Sequence, residues 1–325
     1  MNIAVVGLGS MGKRRIRLIQ NNFNDITIVG IDKKSDRKEE IEGLFNIVTF
    51  SSLEEAATEM ILTAVLICTS PITHEVIIKS ALELKLHVFT EINLLNTYYD
   101  EVISKAKSDN LHLYLSSTFL HRKEIQYINQ KVASDQNVTY RYHVGQYLPD
   151  WHPWESYKNF FVANKKTNGT RELFAIELPW IVHTFGKIKN VTTLKNKISQ
   201  LEIDYPDAYS VLIEHETGIV GTLNIDIVSR VAKRDLDIIG ENTQIEWTGT
   251  PNSLKEWSNE KSEMVAVTLY EAYEKDSNYA DNIIEDAYLE EIKEFIQILK
   301  DERTEGVYSF EKDKEIIDWI DRIEK

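Results

Sequence analysis

The sequence predicts a doubly wound α/β domain followed by an α+β domain built on a large open, mainly antiparallel sheet. Three observations carry this prediction. Residues 1–120 alternate short apolar runs with helical stretches. Beyond them, strand-like segments follow one another with little helix between. Two acidic amphipathic helices then close the chain. With 325 residues, 42% hydrophobic and 27% charged, the chain has the size for two cores and the composition of a globular protein.

In the first part, Ile3–Val6, Ile26–Ile31, Ala64–Cys68, His87–Thr90 and Leu111–Leu115 are rich in Val, Ile and Leu. Such runs suit a parallel sheet buried on both faces. Gly12–Gln20, His74–Leu84 and Tyr98–Ser108 read as the intervening helices, with Asn96 and Thr97 as N-cap candidates for the last. In the second part, Val138–Tyr147, Val191–Ile198, Tyr209–Glu214, Gly221–Ile227, Leu236–Gly240 and Gln244–Trp247 read as strands. Several alternate polar and apolar residues, as a sheet with one covered face requires. Tyr288–Leu299 and Phe310–Ile323 carry apolar stripes at helical spacing. The boundaries expected are 1–120 for the first domain and 121–325 for the second, with the C-terminal helices packing back toward the first.

The first strand runs into Gly7-Leu8-Gly9-Ser10-Met11-Gly12, and Asp32 ends the second strand. A G-x-G-x-x-G on strand–turn–helix, followed by that carboxylate, is the fingerprint of a dinucleotide-binding Rossmann domain. Gly7 permits the tight turn, Gly9 lets the backbone approach a pyrophosphate, and Gly12 allows close helix–strand contact. The N–H groups of the Ser10–Met11–Gly12 turn receive the phosphates. Asp32 accepts from the ribose hydroxyls and favours NAD, while Lys33, Lys34 and Arg37 are cations suited to a 2′-phosphate and keep NADP open.

Composition excludes other classes. The net charge of −15 argues against nucleic-acid binding, which rests on Lys and Arg. One cysteine, Cys68, leaves no internal disulfide. The eight histidines show no ligand spacing, so no metal site is expected. No apolar run has membrane-helix length and the N-terminus has no signal-peptide pattern, so the expectation is a cytoplasmic protein without a membrane partner. The charge is uneven. Residues 1–120 carry a net −3, residues 121–199 a net +6 and residues 200–325 a net −18. The basic middle segment suits an anionic substrate.

The glycine loop, Ile67-Cys68-Thr69-Ser70-Pro71-Ile72-Thr73-His74, Ala81–Glu91 and Tyr288–Phe295 together resemble the Gfo/Idh/MocA oxidoreductases over nearly the whole chain. The resemblance implies nicotinamide-dependent chemistry on sugars, sugar nucleotides or cyclitols, and a homodimer or homotetramer built through the open sheet. It implies cofactor contacts from Thr69, Ser70, Pro71, His74, Glu91 and Asn93, and a substrate contact from Arg122. The chain departs from the family at two places. Ile92 and Asn93 follow Glu91 where Lys-Pro is usual, and Ile176 stands at the usual histidine.

Glu172, Glu177, His183 and Tyr147 are the candidates to replace the missing groups. Glu177 is preferred because its flanks are apolar and burial would raise its pKa. Residues 145–157 hold Tyr147, Trp151, His152, Trp154 and Tyr157, with Pro149 and Pro153 to stiffen the loop. With Arg171 close behind, Trp151, His152 and Trp154 read as a surface for stacking on sugar rings. The functional expectation is an NAD(P)-dependent oxidoreductase of a sugar, sugar nucleotide or acidic sugar, as in surface-polysaccharide synthesis. The alternative is a coenzyme-binding sensor or subunit that has lost hydride transfer.

Overall fold

The computed structural model describes residues 1–152, 155–271 and 284–325. They fall into two compact units, Met1–Ser117 with Tyr288–Ile317, and Thr118–Ala287 with Asp318–Lys325.

The first unit is a Rossmann-type α/β fold. Its chain order is β1 (Asn2–Val6), α1 (Ser10–Asn22), β2 (Thr27–Ile31), α2 (Ser35–Phe45), β3 (Thr49–Phe50), α3 (Leu53–Glu59), β4 (Ala64–Ile67), α4 (His74–Glu83), β5 (His87–Thr90), α5 (Tyr99–Ser108) and β6 (Leu113–Leu115). The sheet is parallel throughout, in the order β3-β2-β1-β4-β5-β6. Its order reverses between β1 and β4, where α/β proteins bind ligands outside the strand ends. Ile3, Val5, Leu66 and Phe89 bury completely because helices cover both faces. Ile292, Phe295, Ile296 and Ile298 join this core, and Phe89 stacks on Tyr114 at 5.0 Å between ring centroids.

Helix α5 differs from the expectation at its start. Tyr98 is its N-cap and gives no side-chain cap. Asn96 instead bonds the Lys314 carbonyl through its amide, 3.3 Å away, and accepts the Tyr99 N–H at its own carbonyl.

The second unit begins with α6 (Lys123–Ser134), β7 (Val138–Gly145), α7 (Gly169–Phe185), β8 (Ile188–Asn196), β9 (Ala208–His215), β10 (Val220–Asp226), β11 (Lys233–Gly240), β12 (Gln244–Trp247), β13 (Lys255–Ser258) and β14 (Glu263–Ala266). The chain ends in α8 (Glu285–Leu299) and α9 (Phe310–Glu324). The described strands of this unit form one eight-stranded sheet, β14-β13-β12-β11-β7-β10-β9-β8, antiparallel except for the β7–β10 pair. Alternation divides its faces. Tyr140, Tyr142, Val144, Val211, Ile213, Leu223, Ile225, Leu236 and Ile238 are buried on one side. On the other side Thr192, Leu212, Thr222, Arg141, Asp237 and Glu246 form a register row that is exposed or half-buried. Strand β7 ends at Gly145, two residues short of the expected Tyr147. A 3-10 turn at Leu148–Asp150 follows, because Pro149 sets the turn dihedral and has no N–H for a ladder.

Candidate functional site

The glycine loop is fixed by contacts from three strands. The Gly7 N–H bonds the Ile31 carbonyl at 2.8 Å, and the Leu8 N–H bonds Asp32 Oδ2 at 2.9 Å. Gly7 has φ +93°, and a Cβ there would lie 2.8 Å from the Cys68 carbonyl oxygen. A Cβ on Gly12 would lie 2.0 Å from the Gly7 carbonyl oxygen, so neither position admits a side chain. Gly9 is different. The nearest atom to its added Cβ is Arg37 Nη1, 3.8 Å away, so the loop leaves its approach side open. Helix α1 starts there with no side-chain cap and no acidic residue in its first turn. Such an N-terminus suits a pyrophosphate. Ser70, on the next loop, has a buried hydroxyl oxygen without a hydrogen-bond partner among the described residues. These features fit a bound dinucleotide, with Ser10, Met11 and Gly12 at its phosphates.

Asp32 accepts from the Lys34 N–H at 3.0 Å and lies 3.4 Å from Arg37 Nη1. A carboxylate for the ribose diol and a cation for a 2′-phosphate therefore stand together. Lys33, the other candidate here, is exposed.

Three predicted cofactor residues brace the loops. His74 is fully buried and bonds the Thr69 carbonyl through Nε2 at 2.9 Å and Asn93 through Nδ1 at 2.6 Å. Burial pulls its pKa down, against the raising effect of its bonds to Asn93 and to the Thr69 carbonyl. Pro71 is buried at the start of the 3-10 turn Pro71–Thr73. Glu91 is held by Arg15, with Nε–Oε1 at 2.7 Å and Nη2–Oε2 at 3.2 Å.

Arg15 escaped the sequence reading. Its signal was faint: a position on the buried face of α1, inside a basic run that reads as solvent-facing. Fully buried, it also reaches Glu291 at 2.8 Å, the Tyr288 carbonyl at 3.0 Å and Ser116 Oγ at 3.3 Å. Desolvation works against its charge, but the Glu91 and Glu291 carboxylates outweigh it and raise the guanidinium pKa further.

In the second unit, Asn168 caps α7. Its Oδ1 accepts the Arg171 N–H and the Thr170 hydroxyl, each at 2.7 Å. Most of α7 is buried, whereas Glu172, Ile176, Val182 and His183 are not. Glu172, Ile176 and His183 fall on one stripe at helical spacing. Glu172 Oε2 is buried without a hydrogen-bond partner among the described residues, and burial pushes the carboxyl pKa up to about 8. His183 is exposed at the far end of the stripe.

Glu177 requires a correction. It does not face that stripe. Its Oε2 accepts the Tyr142 hydroxyl and the Trp180 indole N–H, both at 2.8 Å, and its Oε1 accepts Arg234 Nε at 3.0 Å. Both oxygens of this carboxylate are thus taken up by donors from β7, α7 and β11. The five-residue spacing turns it about 140° from Glu172 on the helix.

Two of the predicted substrate contacts are likewise engaged. Arg122 is buried, paired with Glu124 at 2.7 Å, and its guanidinium lies 4.9 Å from the Trp247 ring. Arg171 pairs with Asp321 at 2.7 Å and with Glu324. In the aromatic stretch, Trp151 donates to the Gln146 carbonyl at 3.1 Å, and His152 stacks on Phe160 at 4.7 Å. The Tyr147 ring lies under the Arg230 guanidinium, 4.0 Å away. Trp154 lies outside the described residues. Among the described residues no group of three or more His, Cys, Asp or Glu side chains is placed to hold a metal ion, and no helix is long and apolar enough to cross a membrane.

The model of the oxidoreductase family with an NAD-binding Rossmann fold, Gfo/Idh/MocA, matches residues 1–100. No curated protein matches the chain in sequence. Solved structures share the fold at low identity. An oxidoreductase from Agrobacterium radiobacter, in complex with NAD+, L-tartaric acid and magnesium, superposes with a TM-score of 0.83 at 12% identity, over 99% of this chain and 94% of its own. The WlbA dehydrogenase from Chromobacterium violaceum, in complex with NADH and UDP-GlcNAcA, gives 0.77 at 12%, over 99% and 92%. The UDP-N-acetylglucosamine 3-dehydrogenase GnnA from Acidithiobacillus ferrooxidans gives 0.76 at 16%, over 100% and 96%. Residues 1–100 thus match the NAD-binding Rossmann-fold model of the Gfo/Idh/MocA oxidoreductases, and the fold with its parallel sheet and large second sheet is shared with solved oxidoreductase structures.

Proposed function

We propose that this protein is an NAD(P)-dependent oxidoreductase of a sugar or sugar nucleotide bearing an acidic group, with Glu172 as the proton-transfer residue. The observation that carries the reading is the half-buried stripe of α7, where Glu172 keeps a buried carboxyl oxygen without a partner among the described residues and a pKa pushed up to about 8. Oxidation of a carbinol requires loss of a hydroxyl proton and of a hydride. A bound nicotinamide supplies the hydride acceptor. Glu172 takes the hydroxyl proton in oxidation and returns it in reduction, and a pKa close to the working pH serves both directions. Ile176, beside it on the stripe, keeps that surface apolar and sustains the raised pKa.

The sugar-nucleotide enzymes among the structural neighbours and the basic segment 121–199 support the substrate class. The open sheet face, with Leu194, Leu212, Val220 and Ile239 exposed, supports a homodimer or homotetramer. The second reading, a coenzyme-binding subunit without turnover, draws on Ile92 and Ile176 at the usual lysine and histidine positions.

The test is nicotinamide absorbance with NAD or NADP against a panel of acidic sugars and sugar nucleotides. Turnover that Glu172→Gln abolishes supports the first reading. Tight coenzyme binding without turnover on any member sinks it in favour of the second.

A further inference from the structure

We infer that Arg230, held on the ring of Tyr147, is the anion-binding arm of the second unit and grips the carboxylate or phosphate oxygens of the substrate. The inference deepens the acidic-sugar reading and rests on it. Residues 118–287 contain five arginines. Four have carboxylate partners: Arg122 with Glu124, Arg141 with Asp237, Arg171 with Asp321 and Glu324, and Arg234 with Glu177. Arg230 is the exception. Its guanidinium lies 4.0 Å from the Tyr147 ring centroid, and no carboxylate among the described residues meets it.

Stacking on a ring face orients a guanidinium without spending its N–H donors, so all five remain for a ligand. A planar fork of that kind matches the paired oxygens of a carboxylate or phosphate.

The backbone beneath this pair is fixed. The Leu148 N–H bonds the Ile227 carbonyl at 2.9 Å, extending the parallel β7–β10 pairing past the strand ends. Asp226 Oδ1 accepts the Val228 and Ser229 N–H groups at 2.9 and 2.7 Å and sets the turn that leads to Arg230. Asp226 is the nearest acid in sequence, and its other oxygen is occupied by His143 Nε2 at 2.7 Å and Ser229 Oγ at 2.9 Å. Trp151, bonded to Gln146, puts an indole on the segment next to Tyr147. A cation with unspent donors beside aromatic rings is the equipment for an anionic sugar.

The test is calorimetric titration of the full-length chain and its Arg230→Gln variant with uridine diphosphate and, separately, glucuronate. NADH affinity serves as the control for folding. About tenfold weaker binding of one probe, with NADH unchanged, is the expected result. Loss toward uridine diphosphate assigns the arm to phosphate, and loss toward glucuronate assigns it to carboxylate. Equal affinity of variant and parent for both probes overturns the inference, as does failure of the parent to bind either. A change in oligomeric state with anion affinity intact assigns Arg230 to an interface and also overturns it. Turnover of neutral sugars alone, with NAD(P), removes the arm but leaves the oxidoreductase reading standing.

Discussion

Replacing Glu172 by Gln separates its two roles, because the charge that serves proton transfer is a cost to the fold. Its carboxyl is displaced by burial from an ordinary 4.5 to about 8. That displacement disfavours the buried anion by ~5 kcal/mol at most, and partial relaxation of the site reduces the figure to about 2–5 kcal/mol. The sign follows from proton counting. Between the two pKa values the folded carboxyl holds its proton and the unfolded one does not. Stability therefore falls as pH rises from about 4.5 to about 8, and is level above that. The Gln variant keeps the shape and cannot ionise. It should match the parent near pH 4.5 and exceed it by about 2–5 kcal/mol above pH 8, while losing about 10²- to 10⁴-fold in turnover. Denaturant unfolding of both proteins across that range, followed by tryptophan fluorescence, measures the difference, and other titrations cancel between the two. Parallel pH profiles for variant and parent would refute the buried-carboxyl argument whatever the activity does.

Other outcomes follow from the same contacts. Arg15→Met leaves Glu91 and Glu291 facing one another without their cation, and should cost roughly 3–5 kcal/mol in chemical unfolding. Adding Glu91→Gln and Glu291→Gln should restore much of that loss, and no restoration would remove the ion network as the cause. Gly12→Ala sets a methyl 2.0 Å from the Gly7 carbonyl oxygen. The loop must open, so fluorescence titration with NADH should show coenzyme affinity falling by at least about tenfold at a stability cost of about 1–3 kcal/mol. Arg37→Ala removes the cation beside Asp32, and should weaken NADPH more than NADH in that titration. Equal losses for both coenzymes would show that Arg37 supports the loop without choosing between them.

The first unit was legible because its signals are local. A glycine turn, an acidic strand end and β-branched runs each constrain their own few residues, and the parallel order follows from alternation. Strand β3 was not legible. It spans two residues, Thr49 and Phe50, and exists only because β2 offers an edge. Strands β13 and β14 are only four residues each, Lys-Glu-Trp-Ser and Glu-Met-Val-Ala, so antiparallel pairing forms them where so short a run gives no warning. The Asn96 cap failed for a related reason. A side chain suited to a local cap found a distant partner, the Lys314 carbonyl.

At the candidate site the limit was rotation about one helix. Of the two glutamates of α7, apolar flanks alone favoured Glu177. What distinguishes the two is contributed by residues far along the chain: Tyr142 on β7 and Arg234 on β11. They converge on one face of α7 only after the sheet has formed. Glu177 has both oxygens occupied by those partners, whereas Glu172 has none for its Oε2 among the described residues and burial raises its pKa. The 140° between adjacent-looking acids thus decides which is structural and which is free to exchange a proton. The same reasoning explains the arginines. Arg122 and Arg171 looked available because their carboxylates come from Glu124 and from the chain's last turn, whereas Arg230 looked ordinary because its partner is the face of a ring. In this chain the residues left for chemistry are those whose charge the fold has not already answered.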